Sequence, residues 1–388
     1  MPGIMTRQRT SATGAVQSAR DQKVEALIIN IGGGGRVETS SRRKKTARFT
    51  DIAALAGVSP STVDRVLNER GSVSSRARAN VVAAAKELAI PRVLPEVGHG
   101  LIHLDILLPD NGTPFFRRLN QALQRAIPLL NKRIVVHRKI LPEQDEAAMI
   151  RAVLRCPYPR QGLIIAAPDT IAMRCALQEV LARGEHVAMV VTNVAELAQA
   201  RYVGIDNYAA GRTAGYLLGR FCHKPGRVLL LSGRADYRGH LERVTGCTDI
   251  MGEAFAHLRC EHLPGQTSDD SDRCYMAVSE AFKHGERIAG IYNTGGGSPG
   301  IEAALRRFAD HGKVCWVAHE LSDDHQEYLR LGILDLVIDQ DPDGQATMAL
   351  QHVLMALGMS ESSASGVGPG EFRLYLPENM RGENYMAL

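Results

Sequence analysis

The chain lacks any apolar run of about 18 residues or more, so no helix is expected to cross a bilayer and no membrane partner is implied. Its opening residues, MPGIMTRQRTSATG, lack the apolar core of a signal peptide, and the nearest apolar stretch, Ala26 to Ile31, is short and follows charged residues. Cysteines are scattered: the nearest two are Cys247 and Cys260, and no C-x-x-C pair occurs. That spacing argues against a zinc site or a disulfide framework and fits a reducing cytoplasm. No G-x-x-x-x-G-K-[ST] loop and no H-E-x-x-H helix is present, no serine nucleophile elbow is expected, and no spacing marks a His, Asp or Glu as catalytic. The expectation is a protein that is not an enzyme and needs no cofactor or metal.

What is present is a basic end. Residues 42–45 read Arg-Arg-Lys-Lys, and with them the stretch 42–92 holds eleven Lys/Arg against four acids, an excess of seven where the whole chain has four. The remainder is therefore net acidic, and the basic stretch is where a polyanion would bind. At 388 residues the chain is too long for one core. Residues 1–45, rich in Ser, Thr, Gly and Arg without periodicity, read as a disordered arm. The run Ile31-Gly-Gly-Gly-Gly-Arg36 has neither a strand before it nor a helix after it, which makes it a linker rather than a phosphate loop.

Residues 46–92 have the pattern of three short helices. Thr50 is placed to cap the first, which would bury Ile52, Leu55 and Ala56. Gly57-Val58 makes a turn, and Ser59 caps a second helix with Pro60 at its first position and Val63, Val66 and Leu67 inside. Ser74 caps a third, with Ala77, Val81, Ala84, Ala85 and Leu88 inside. A glycine turn between the first two gives a helix-turn-helix. After a linker at 93–100, residues 101–388 alternate buried-strand runs (Leu101–Leu108, Ile134–Val136, Leu163–Ala166, Val187–Val191, Val228–Leu231, Ile288–Tyr292, Val314–Val317, Leu334–Ile338) with amphipathic segments such as Phe115–Leu130, Ala209–Phe221 and Gly300–His311. This predicts α/β architecture with parallel sheets, in two lobes given the length.

The stretch Phe49-Thr-Asp-Ile-Ala-Ala-Leu-Ala-Gly-Val-Ser-Pro-Ser-Thr-Val-Asp-Arg-Val-Leu-Asn68, followed by Val73-Ser74, resembles the DNA-binding headpiece of the LacI family. From about 101 onward, Leu108-Pro-Asp-Asn-Gly-Thr-Pro-Phe-Phe116, Tyr202-Val-Gly-Ile-Asp-Asn207 with Gly211, Gly233, Arg243-Val-Thr-Gly246, Asn293-Thr294, His319-Glu320 and Gln340-Asp341-Pro342 are similar to that family's periplasmic-binding-protein-like (type I) effector domain, in its sugar-binding form. The resemblance implies a small all-α helix-turn-helix domain followed by a two-lobed α/β domain. It also implies a homodimer or dimer of dimers on palindromic double-stranded operator DNA, and repression relieved or enforced by a carbohydrate. The alternative is a sugar-binding protein or enzyme of the same architecture.

The residues of the second helix fit that reading. Pro60, Ser61 and Thr62 at its start meet base edges in a major groove, and Arg65, one turn on, contacts a guanine edge or a phosphate. Thr50, Ser59, Asn68 and Ser74 bond phosphates or cap helices. Asp64, where the family commonly has serine, needs a partner to face a phosphate backbone. The linker Ile90-Pro-Arg-Val-Leu-Pro-Glu-Val97 replaces the family's hinge-helix segment, and Pro95 predicts a shorter or non-helical connection.

In the α/β domain, ligands gather beyond the carboxyl ends of strands. Phe115 and Phe116 follow the first strand, to stack on a sugar or to fill the core. Asn193 follows the fourth apolar run, and Arg243, at the family's arginine position, offers a fork of donors. Asn293 and Thr294 open the loop Asn293-Thr-Gly-Gly-Gly-Ser-Pro-Gly300, with Ser298 and Pro299 as N-cap and first helical residue. Its three glycines would leave N–H groups open to a ligand oxygen or anion. His319 and Glu320 stand where many members carry Gly-x-Asp, His319 being either a ligand contact or a structural histidine. Gln340 completes the expected effector site.

Overall fold

A computed structural model describes residues 48–68, 70, 73–88, 90, 100–263, 267–284, 286–308, 312–359 and 370–380. The arm expected at 1–45 and the linker with Pro95, up to residue 99, lie outside the described residues. The chain divides into two compact units, 1–99 and 100–388.

The first unit holds α1 (Phe49–Ala56), α2 (Pro60–Leu67) and α3 (Ser75–Glu87) around one small core. Helix α1 begins two residues earlier than expected: Arg48 is the N-cap, its N–H bonding Asp51 Oδ2 at 2.8 Å, so Thr50 lies inside the first turn and caps nothing. The buried stripe is Ile52, Ala53 and Ala56, while Leu55 is 47% exposed, which corrects the expected inner face by one position. Gly57 ends α1 at φ 66°, in the left-handed region where a Cβ is costly. Ser59 and Ser74 cap α2 and α3 by accepting from Thr62 N and Ala77 N. The core comprises Ile52, Ala53, Ala56, Val63, Val66, Leu67, Val81, Val82, Ala84 and Ala85.

The second unit is built from two parallel sheets. The first lobe contains β1 (Ile102–Asp110), α4 (Pro114–Ala126), β2 (Ile134–Pro142), α5 (Glu146–Leu154), β3 (Arg160–Ile165), α6 (Ile171–Ala182), β4 (His186–Val190) and β5 (Arg201–Val203). Its strand order is β2-β1-β3-β4-β5. The second lobe contains α7 (Asn207–Phe221), β6 (Gly226–Leu231), α8 (Arg238–Ala254), β7 (Leu258–His262), α9 (Ser271–Lys283), β8 (Ile288–Asn293), α10 (Ser298–Arg307), β9 (Cys315–His319), α11 (Asp323–Arg330) and β10 (Leu336–Asp339). Helix α12 (Pro342–Ala356) then returns to the first lobe, and β11 (Arg373–Tyr375) adds an antiparallel edge to the second, in the order β11-β10-β9-β8-β6-β7.

Each sheet is covered on both faces, which is why its central strands read as unbroken apolar runs. In the first lobe Leu104, Ile106 and Leu108 of β1 pack with α4 and with Ala346, Leu350 and Val353 of α12, while Leu107 faces Met149, Val153, Met173 and Leu177 of α5 and α6. In the second lobe α7 and α8 cover one face, and α9, α10 and α11 the other. Gly211 on α7 lies so close to the Arg243 backbone that a Cβ would overlap its carbonyl oxygen, so glycine there sets how near α8 comes.

Candidate functional site

In the headpiece the exposed face of α2 is the chemical surface. Val63, Val66 and Leu67 point inward, which leaves Pro60, Ser61 and Arg65 exposed and Thr62 and Asn68 half-buried. Ser59 Oγ lies 2.9 Å from both Ser61 Oγ and Thr62 Oγ1, which ties the three hydroxyls at the helix start together. Asp64 receives a hydrogen bond from Asn68 Nδ2 at 2.6 Å. The acid therefore finds its partner one turn on, and both side chains are drawn from the roles assigned to them singly.

In the second unit a cavity of about 440 Å³ opens between the lobes at the carboxyl ends of the strands, within the size range of small-molecule sites. Six residues expected from the sequence line it: Phe115 and Phe116, Arg243, Thr294, His319 and Glu320; Gln340 is a seventh. The two phenylalanines meet edge to face, 5.7 Å between centroids, and also belong to the first lobe's core, so they fill the core while lining the cavity. Two residues fall elsewhere. Val191 adopts φ 70°, in the left-handed region, and turns Thr192 into the wall instead of Asn193, which is not part of it. Asn293 is fully buried behind the wall, where its amide donates to the carbonyls of Gly295 and Gly296 at 3.0 and 2.8 Å.

The glycine loop is not open to an anion as expected. Gly296 N donates to Asp269 Oδ1 at 2.5 Å and Gly295 N to Asn293 Oδ1 at 3.3 Å, so a protein carboxylate already occupies the cradle. A Cβ at Gly295 would overlap that same oxygen, which explains glycine there better than ligand access does. Helix α10 also starts one residue early, at Ser298, with Gly297 at φ 79° as N-cap in place of Ser298.

Gly296-Gly-Ser-Pro-Gly300 does carry the G-x-S-x-G spacing of a nucleophile elbow, contrary to the expectation above. Ser298 Oγ sits 2.6 Å from His325 Nε2, and His325 Nδ1 bonds the carbonyl of Glu320 at 2.6 Å. A carbonyl only accepts, so Nδ1 carries the proton and Ser298 donates to Nε2. The residue after Ser298 is Pro299, which has no N–H, and the N–H groups of Gly295 and Gly296 are engaged. The pair therefore ties α10 to α11, and through His325 Nδ1 to the loop after β9.

Arg243 is the centre of the wall. It is 4% exposed and donates from Nε to Asn207 Oδ1 at 2.8 Å, from Nη1 to the Thr294 carbonyl at 2.7 Å and from Nη2 to Gln340 Oε1 at 2.5 Å. All three partners are neutral, and burial pushes its pKa down. A guanidinium has five N–H groups, so donors remain for a ligand. Burial also lowers the pKa of His240, to about 4, and that of His319, keeping both rings uncharged at neutral pH. The sequence reading missed Thr192, Tyr237, His240 and Asp269 because each reaches the cavity only through the folding of distant loops.

The lobes are also joined directly. Arg118 of α4, 2% exposed, bonds Glu320, Asp339 at 2.7 Å and Asp343 at 2.9 Å. Gly239 N donates to Thr192 Oγ1 at 3.3 Å, Asp169 N to the Asp236 carbonyl at 2.8 Å, and Arg234 Nη1 to the Glu143 carbonyl at 3.0 Å. Glu320 thus belongs both to the cavity wall and to a buried ionic joint between lobes.

Comparison with known proteins bears on both units. Residues 104–360 match the family described as "Periplasmic binding protein domain", and residues 48–90 match "Bacterial regulatory proteins, lacI family". The "HTH-type transcriptional regulator MalR" of Streptomyces coelicolor is 39% identical over 84 residues, 21% of this chain and 24% of its own length. The "Ribose operon repressor" of Halalkalibacterium halodurans is 42% identical over 79 residues, 19% of this chain and 23% of its own. The chain thus aligns with only about a quarter of these curated relatives' length. Among solved structures, an ABC transporter solute binding protein from Burkholderia graminis, in complex with D-arabinose, superposes with a TM-score of 0.65 at 17% identity, over 74% of this chain and 99% of that one. That likeness establishes the fold of the second unit.

Proposed function

The chain belongs to the periplasmic binding protein domain family, joined to a lacI-family headpiece, and we propose that it is a DNA-binding transcriptional repressor controlled by a carbohydrate. The observation that carries this reading is a ligand-sized cavity, walled by buried Arg243, Gln340 and uncharged histidines, in the same chain as a basic helix-turn-helix. A sugar satisfies such a wall because its hydroxyls both donate and accept and its ring faces are apolar enough to lie against Phe115 and Phe116. The relatives named for ribose and bound to D-arabinose support that class.

On DNA, Pro60, Ser61 and Thr62 meet base edges, Arg65 reads a guanine through its planar fork, and Ser59, Ser74 and Thr50 position the backbone. The protein acts in the cytoplasm as a homodimer, which spaces two headpieces one helical turn apart on a palindromic operator. Effector binding shifts operator affinity to the extent that the ligand prefers one lobe arrangement over the other. The Arg118 joint, which includes the cavity residue Glu320, supplies the element on which such a preference acts.

The test is a pair of variants on operator DNA from the region of its own gene. Arg65→Ala is expected to lose operator preference by about 1–3 kcal/mol while non-specific, salt-sensitive binding remains. Arg243→Ala is expected to bind operator normally and to lose the response to sugar. Binding that shows no preference among duplexes at any salt concentration, read by fluorescence anisotropy, refutes the proposal.

A further inference from the structure

His319 and Glu320 line the cavity, and each carries a buried polar atom with no partner among the described residues, Nδ1 of His319 and Oε2 of Glu320, the two residues being 3% and 4% exposed. Buried polar atoms are almost always paired, so two unpaired ones on neighbouring residues at a ligand-sized cavity point to ligand groups. Along a strand, adjacent side chains alternate faces. Glu320, at φ 72°, breaks that alternation just past the end of β9, and both residues enter the wall.

What each atom offers follows from how its side chain is held. His319 is uncharged, because burial and then the Arg243 cation press its pKa well below the usual value. Its Nε2 lies 2.7 Å from the hydroxyl of Tyr292. Tyr292 is fully buried, burial keeps its phenol protonated, and among the described residues its hydroxyl has no other hydrogen-bond partner. The phenol proton therefore goes to Nε2, which leaves the imidazole proton on Nδ1 as a donor. Glu320 is anchored through Oε1 to Arg118, so Oε2 is the end that meets the ligand. Burial and the nearby Asp339 raise its pKa, so this oxygen is met best by a group able to donate or accept.

We propose that Tyr292 is a positioning residue that fixes His319 as the Nδ1–H tautomer, and that His319 and Glu320 together read a free hydroxyl pair on the effector. The effector class is then an unesterified sugar or polyol, with one hydroxyl accepting from His319 and one donating to Glu320. A phosphate or carboxylate group placed against Glu320 fits less well than a hydroxyl, because such an anion would lie beside the Glu320 and Asp339 carboxyl groups, and the glycine cradle nearby already holds the Asp269 carboxylate. This inference rests on the carbohydrate reading above and is tested in two independent ways.

The first test needs no ligand. Long-range 1H–15N correlation spectra of the labelled full chain, with the His319 signals assigned by their absence in His319→Gln, are expected to show Nδ1 protonated and Nε2 bare. Tyr292→Phe is expected to populate the other tautomer. A wild-type His319 protonated at Nε2 overturns the assignment. The second test is a thermal-shift and titration series with D-ribose, D-arabinose, their 5-phosphates and 2-deoxy-D-ribose. A free sugar is expected to raise the melting temperature where its phosphate ester does not, and Tyr292→Phe is expected to weaken it roughly tenfold. Stabilisation by an ester greater than by its parent sugar overturns the hydroxyl-pair assignment. If none of the five stabilises the protein, the carbohydrate reading fails and the effector class falls with it, while the tautomer assignment is decided by the spectra alone.

Discussion

The headpiece and the effector domain encode function in opposite ways. In the headpiece, the residues that would touch DNA lie within one run, from Thr50 to Ser74, and every one sits at a helix start, in a first turn, on an exposed helical face or at a helix end. Helical periodicity alone puts Val63, Val66 and Leu67 inside and Pro60, Ser61 and Arg65 outside. In the second unit, one cavity collects side chains from Asp110 to Gln340, and Arg243, His319 and Glu320 among them are buried polar residues. Local patterning encodes the first surface. The second exists only where several strand ends converge.

That contrast can be broken by experiment, beginning with the joint between lobes. Arg118→Ala leaves Glu320 and Asp339 buried without their shared cation, a loss of about 3–5 kcal/mol. Calorimetry should show the effector-domain transition falling while headpiece unfolding stays in place. A joint loss of both transitions would mean the two units do not melt independently.

Acid separates them next. His240 titrates near 4 in the fold, chiefly because burial disfavours its charge, against about 6.5 when unfolded. Above pH 6.5 it is neutral in both states and its contribution is intact. Between 6.5 and 4 the unfolded chain takes up the proton and the folded chain does not, so stability falls as pH falls, by about 3 kcal/mol from this residue. His319 and His325 act in the same sense, and Glu320, whose pKa is raised, in the opposite one. Residues 48–90 contain no histidine, so the headpiece is spared this loss. Circular dichroism melts from pH 7 to pH 4 should show acid sensitivity confined to the second unit.

The smallest effect belongs to the headpiece. Ser59→Ala removes the acceptor for Thr62 N and should cost that unit about 1 kcal/mol, read in urea unfolding. No change would mean that Pro60 at the first helical position is enough to start α2.

The same contrast explains what the sequence could reveal. Seven of the eight apolar runs correspond to interior strands, because strands covered on both faces must be apolar throughout, and the eighth, Ile134–Val136, opens the long edge strand β2. The three strands not anticipated, β5, β7 and β11, are edge strands; β5 and β11 have three residues each, and β7 is mostly half-exposed. Such short or half-covered runs carry no periodic signal. Helix starts were legible where a serine caps directly, as at Ser59 and Ser74, and misplaced by one residue where a left-handed glycine intervenes, at Gly297, and by two where a reciprocal cap does, at Arg48. In the cavity, strand-end position put Thr294, His319, Glu320 and Gln340 on the wall, and the family resemblance put Arg243 there, which stands in α8. It failed for Asn193 because the left-handed turn at Val191 reverses the direction of the next side chains. Nothing in the sequence around Asp269 signals that its carboxylate fills the glycine cradle.

The return of α12 to the first lobe has a consequence for how this protein is made. The sheet of that lobe is complete by Val203, yet one of its faces is covered only in part, by α4, until Ala346, Leu350 and Val353 emerge some 140 residues later. During synthesis, nearly the whole second lobe therefore leaves the ribosome while the first still waits for its cover. A chain ending before Pro342 would not be a protein missing its tail; it would be one whose earliest lobe never closed.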